Sequence, residues 1–105
     1  MYVCQWHIDI PFGKQSEVVQ IMKDWLKDST TGSEFKRAVN HRILVGHVGK
    51  SASHLIVEHT FESLADFEIA LTGMGSGPFK QHAEKLAPYV VPGSQHWEIL
   101  RILVA

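Results

Sequence analysis

Seven histidines in 105 residues give this chain most of its chemical potential. Imidazole gains or loses a proton near neutral pH and binds transition metals. Protonating all seven would carry the formal net charge from −1 to +6, so mild acid is expected to change surface and interface electrostatics. Four of them, His7, His47, His54 and His59, fall in or beside expected strands. No pair has the i, i+4 spacing that sets two metal ligands on one helical face, so no metal site is expected except through histidines brought together by the fold. Cys4 is the lone cysteine, which excludes an internal disulfide and a cysteine-based metal cluster and points to a reducing compartment. In an apolar N-terminal strand it reads as a buried, inert thiol. The glycines of Gly73–Gly77 lack the strand-loop-helix setting of a phosphate-binding loop, so that stretch reads as a hinge or pocket lid.

The rest of the composition is that of an ordinary globular chain. With 45% hydrophobic and 20% charged residues, one domain over 1–105 is expected, able to bury roughly two-thirds of its unfolded surface. Lysines and arginines are scattered and nearly balanced by acids, which argues against nucleic acid or an anionic membrane as partner. MYVCQWHIDI has neither a basic start nor a long apolar run, and no segment reaches membrane-spanning length, so a cytoplasmic location is expected.

These side chains need elements to hold them. Tyr2–Ile10 alternates as a strand, with Cys4, Trp6, Ile8 and Ile10 toward a core and Gln5, His7 and Asp9 on the other face. After Pro11-Phe12-Gly13, a helix from about Lys14 to Lys27 carries Val18, Ile21, Met22, Trp25 and Leu26 on one stripe. Asp28–Ser33 reads as a loop, and Glu34–Asn40 as either a helical turn or the start of a strand. His41–Val48 and His54–Phe61 form an expected hairpin, the second strand placing Leu55, Val57, His59 and Phe61 on one side. Ser63 offers an N-cap with Asp66 three residues on, opening a helix that Gly73–Pro78 breaks before a second piece, Phe79–Leu86. His96–Val104 closes the chain as a strand that is apolar on both faces: Trp97, Ile99 and Leu103 on one, Leu100, Ile102 and Val104 on the other. The order β-α-β-β-α-β is the split arrangement of ferredoxin-like α+β domains, an antiparallel four-stranded sheet with two helices on one face. Its second apolar face is expected to meet another copy of the chain, giving a homodimer.

This order, the chain length, Phe61-Glu62-Ser63-Leu64-Ala65-Asp66-Phe67 and Gly77-Pro78-Phe79-Lys80-Gln81-His82 together resemble the dimeric α/β-barrel superfamily. That group includes antibiotic-biosynthesis-type monooxygenases, haem-degrading monooxygenases and NIPSNAP-like proteins. The resemblance implies two sheets packed into a shared barrel, helices outside, and a pocket between sheet and helices for a planar organic ligand. It also implies a choice of activity: cofactor-independent oxygenation of a hydrophobic or aromatic metabolite, a non-catalytic ligand-binding or stress-type module, or haem binding.

Oxygenation without a cofactor calls for a dry apolar pocket, a base and hydrogen-bond donors for a developing oxyanion. Trp6, Phe67, Met74, Phe79, Tyr89 and Trp97 are the expected lining, with His59 or His82 as base and Tyr89 or Trp97 as donor. Small domains use aromatics to fill volume, so Trp6, Phe67 and Phe79 read first as core and only second as lining, Tyr89 first as a half-buried anchor and His59 first as a hydrogen-bonded core histidine. His82 is the haem candidate, because haem-degrading relatives carry an iron-ligating histidine on the second helix. The matching position is one residue later, at Ala83; the strand-one polar residue of those relatives corresponds to Trp6, and their helical Trp to a position near Thr72. On the other sheet face, Gln5, His7, Asp9, His54, Glu58, Glu98 and Arg101 are expected to meet as hydrogen-bonded pairs.

Overall fold

The computed structural model describes residues 1–75 and 79–105. Four strands, β1 (Tyr2–Asp9), β2 (Asn40–Val45), β3 (His54–Phe61) and β4 (His96–Arg101), form one antiparallel sheet in the order β2-β3-β1-β4. Helices α1 (Gln15–Gly32), α2 (Leu64–Thr72) and α3 (Phe79–Leu86) supply the other layer, which makes the fold α+β and ferredoxin-like. Among the described residues no helix is long and apolar enough to cross a membrane.

Alternation decides which strand residues meet the helices. Cys4 and Ile8 of β1, and Leu55 and Phe61 of β3, are fully buried there. Ile8, Ile10, Val18, Met22, Leu55 and Leu86 form one apolar cluster, and Cys4, Phe35, Phe61, Phe67 and Ala70 a second. Gly13, at φ 82°, turns the chain from β1 into α1, with Lys14 N–H donating to the Pro11 carbonyl at 3.3 Å.

Three boundaries differ from the sequence expectation by more than one residue. The last strand, expected to reach Val104, ends at Arg101, because its neighbour β1 begins at Tyr2 and beyond it, among the described residues, only the Met1 carbonyl accepts from Ile102 N–H, at 3.0 Å. Asp28–Gly32 continues α1 rather than forming a loop. Ser29 and Thr30 return their hydroxyls to the Leu26 and Lys27 carbonyls at 3.1 and 3.2 Å, and Thr31 donates to Lys27 at 2.9 Å. Those bonds keep Ser and Thr compatible with helix. The hairpin strand β2 ends at Val45 instead of Val48, because Gly46 lies against the Ser51 carbonyl so closely that an added Cβ would sit 1.9 Å from that oxygen. The ambiguous stretch resolves into a 3₁₀ turn over Glu34–Arg37, capped by Ser33, whose hydroxyl accepts from Phe35 N–H at 3.2 Å. Ser63 caps α2 as its sequence suggests, accepting from Asp66 N–H at 3.2 Å. Gly73–Gly75 is a 3₁₀ turn, while the remainder of the expected hinge, Ser76 to Pro78, lies outside the described residues.

Candidate functional site

A cavity of about 270 Å³ lies between the sheet and the helical layer. Trp6 of β1, Val57 and His59 of β3 and Trp97 of β4 face it from the sheet; Met22, Trp25, Leu26 and Ser29 wall it from α1. Phe35, Leu71, Met74 and Ala83 complete the lining. The sheet residues reach one surface because they share a face in register: Trp6 pairs with Val57 on one side and Trp97 on the other.

Two polar groups stand out in this apolar surround. The Trp25 indole Nε1 is buried and has no hydrogen-bond partner among the described residues. A buried N–H left unpaired costs free energy. The second group is His59, buried, its ring against Phe35 at 4.5 Å between centroids. Its Nδ1 lies 2.9 Å from His41 Nδ1, so one ring donates and the other accepts. Its Nε2 has no hydrogen bond among the described residues. Burial, reinforced by the neighbouring His41, pushes the His59 pKa down to about 3. His41 is itself held low by burial. The pair is therefore neutral at physiological pH, and His59 offers the cavity a neutral imidazole.

Of the lining expected from sequence, Trp6, His59, Met74 and Trp97 are in place. Phe67, Phe79, Tyr89 and His82 are not among the lining side chains. Phe67 packs edge-on against Phe61 and Trp97, at 5.7 and 5.1 Å, and so supports the Trp97 wall from behind. Phe79 is buried core whose ring tip meets Gly32 of α1, and Tyr89 packs on the first apolar cluster. His82 stacks on Trp25, with its Nε2 2.6 Å from Asp28 Oδ2.

Haem does not suit this arrangement. The position of α3 that reaches the cavity is Ala83, which has no donor atom, and the helix histidine is tied to a carboxylate instead. Of the lining that sequence reasoning missed, Met22, Trp25 and Leu26 were visible as the apolar stripe of α1. What the stripe could not show is that it stops short of the sheet and leaves a space.

No protein-family model matches the chain, and no curated protein matches it significantly. Solved structures do. A candidate antibiotic biosynthesis monooxygenase from Nitrosomonas europaea superposes with a TM-score of 0.72 at 12% identity, over 99% of this chain and 100% of that one. An uncharacterized NIPSNAP domain protein from Burkholderia xenovorans gives 0.75 at 16% identity, over 97% and 94%. SnoaB, a cofactor-independent oxygenase from Streptomyces nogalater, gives 0.69 at 13% identity, over 99% and 94%. Identities this low speak to the fold alone, and on that evidence the chain has the ferredoxin-like fold of the antibiotic biosynthesis monooxygenase-like and NIPSNAP proteins.

Proposed function

We propose that the cavity binds a small aromatic or otherwise hydrophobic metabolite bearing a hydroxyl or carbonyl group, and that the bound molecule is oxygenated by dioxygen without a cofactor. The observation that carries this reading is an otherwise apolar cavity lined by both the neutral His59 and Trp25, whose buried indole Nε1 is unpartnered among the described residues. A volume of about 270 Å³ lies near the low end of ligand pockets, roughly 300–1,000 Å³, which favours one or two rings over a larger scaffold.

In this reading His59 takes a proton from the substrate, and the resulting carbanion supplies electrons to dioxygen. One oxygen atom replaces two hydrogens on a ring carbon as a carbonyl, and the other leaves as water. Trp25 N–H stabilises the developing oxyanion. With a pKa near 3 in the empty cavity, His59 is a weak base and acts only with the incipient anion against it. That low basicity favours the second reading, a binding module without catalysis. SnoaB, of the same fold, works without a cofactor, which supports the first.

The proposal includes a homodimer. Leu100 on the outer face of β4 is 53% exposed, and Leu103 and Val104 beyond it are 79% and 91% exposed. A second copy would cover them.

A panel of hydroxylated naphthalenes and anthracenes tests the pocket. At ten times its Kd a fitting compound should raise Tm by about 5 °C or more, and Ala83→Trp, which blocks the rim, should remove the shift. Oxygen uptake with the same compound, lost in His59→Gln, supports the oxygenase; binding without uptake leaves the module. A panel without any rim-dependent shift contradicts both.

A further inference from the structure

The outer face of the sheet, opposite the helices, carries a second constellation of side chains. Cross-strand register sets His7 of β1 opposite His96 of β4, and Gln5 opposite Glu98, so the four side chains form a block on one face. His7 Nε2 lies 3.3 Å from Glu98 Oε2, and His96 Nε2 lies 2.8 Å from the same oxygen. All three atoms fall within 4.8 Å of one another. We propose that His7, His96 and Glu98 bind a divalent transition-metal ion through the two Nε2 atoms and one carboxylate oxygen, leaving further positions open.

The hydrogen bonds behind the ligands carry the argument. A metal-bound imidazole keeps its proton on the other ring nitrogen and needs an acceptor there. His96 Nδ1 lies 3.1 Å from the Ser94 carbonyl, and His7 Nδ1 lies 2.7 Å from His54 Nε2. His54 in turn sets its Nδ1 2.7 Å from Asp9 Oδ1. With an ion on His7 Nε2, Nδ1–H donates to His54 and His54 Nδ1–H donates to Asp9, so every nitrogen in the relay is satisfied. Both Nε2 atoms are thereby left to converge on one carboxylate.

The rings are held to match. His7 is 5% exposed and stacks on His96 at 4.7 Å between centroids, 14° from parallel. Gln5 gives its amide N–H to Glu58, which turns its Oε1 to within 3.0 Å of His7 Nε2 as a fourth candidate ligand atom. Tetrahedral bonds of about 2.1 Å separate ligand atoms by about 3.4 Å, which the half-exposed His96 and Glu98 reach by small rotations. Two imidazoles and one carboxylate suit zinc, cobalt(II) or iron(II) rather than calcium or magnesium.

Titrating tag-free protein with Co²⁺ and with Zn²⁺ against a chromophoric chelator tests the site. One ion per chain is expected, with Co²⁺ d–d absorption bands. His96→Ala and Glu98→Gln, at half-exposed positions and checked for fold by circular dichroism, should each weaken binding at least about 100-fold. His54→Gln should weaken it about 10-fold or more through the relay. His47→Ala, on an exposed loop, should leave affinity unchanged. Absence of binding in the wild type, binding that survives both ligand variants, or equal loss in His47→Ala would each overturn the proposal.

Discussion

His59 stays neutral far below the pH at which a histidine in water takes up a proton. The unfolded chain accepts that proton near the ordinary value of 6.5, whereas the folded chain refuses it until about pH 3. Stability that is fully present above pH 6.5 is therefore lost as pH falls toward 3. Between pH 7 and pH 5 the loss from His59 alone is about 2 kcal/mol. Urea denaturation at the two pH values should show this difference in the wild type and a smaller one in His59→Gln; an equal slope in both would place the acid sensitivity elsewhere. The position of His59 was legible from the β3 alternation, which sets it on the side facing the helices. The roles of His41 and Trp25 were not. Neither a tautomer-sharing contact between adjacent strands nor an indole N–H left without an acceptor can be read from residue type, because both depend on how the layers fit. His82 shows the converse: its position on the helix suggested a ligand, but it points to Asp28, and the next residue, Ala83, about 100° further round the helix, reaches the cavity.

At the scale of elements, the two glycines at Gly46 and Gly32 respond in opposite directions to the same change. An added methyl at Gly46 meets backbone, 1.9 Å from the Ser51 oxygen, so the β2–β3 hairpin must shift; Gly46→Ala should cost about 2 kcal/mol or more. Gly32 ends α1, and its added methyl would meet only the Phe79 ring at an ordinary 3.8 Å, so Gly32→Ala should gain about 0.5 kcal/mol. Chemical denaturation of the two variants checks both signs, and a neutral Gly46→Ala would contradict the close turn. Elements with strong periodicity, β1, β3 and the Val18–Leu26 stripe, were legible because burial and period agree. The end of α1 was not, since Ser29, Thr30 and Thr31 look like a loop until their hydroxyls are seen bonded to the preceding turn.

Over the whole molecule, the element order sufficed for the sheet topology, whereas the expected two-sided apolar last strand holds on its outer face for Leu100 alone, since β4 ends at Arg101 and carries His96 and Glu98 on that face. Covering that face with a second copy is the proposal that sedimentation tests: the wild type should sediment as a dimer at micromolar concentration. Leu100→Asp, at an already exposed position, should shift it toward monomer with the fold retained. A wild type that sediments as a monomer would remove the dimer while leaving the cavity intact. The cavity is what ties residue, element and sheet together, and the indole N–H resonances of the tryptophans that line it report on it directly. In ¹H–¹⁵N spectra, a hydroxynaphthalene that raises Tm should move the Trp25 Nε1–H resonance downfield as that proton gains an acceptor, with smaller changes at Trp6 and Trp97. Unmoved indole resonances at saturating ligand, or the same movement in Ala83→Trp, would contradict a binding site between the helices and the sheet.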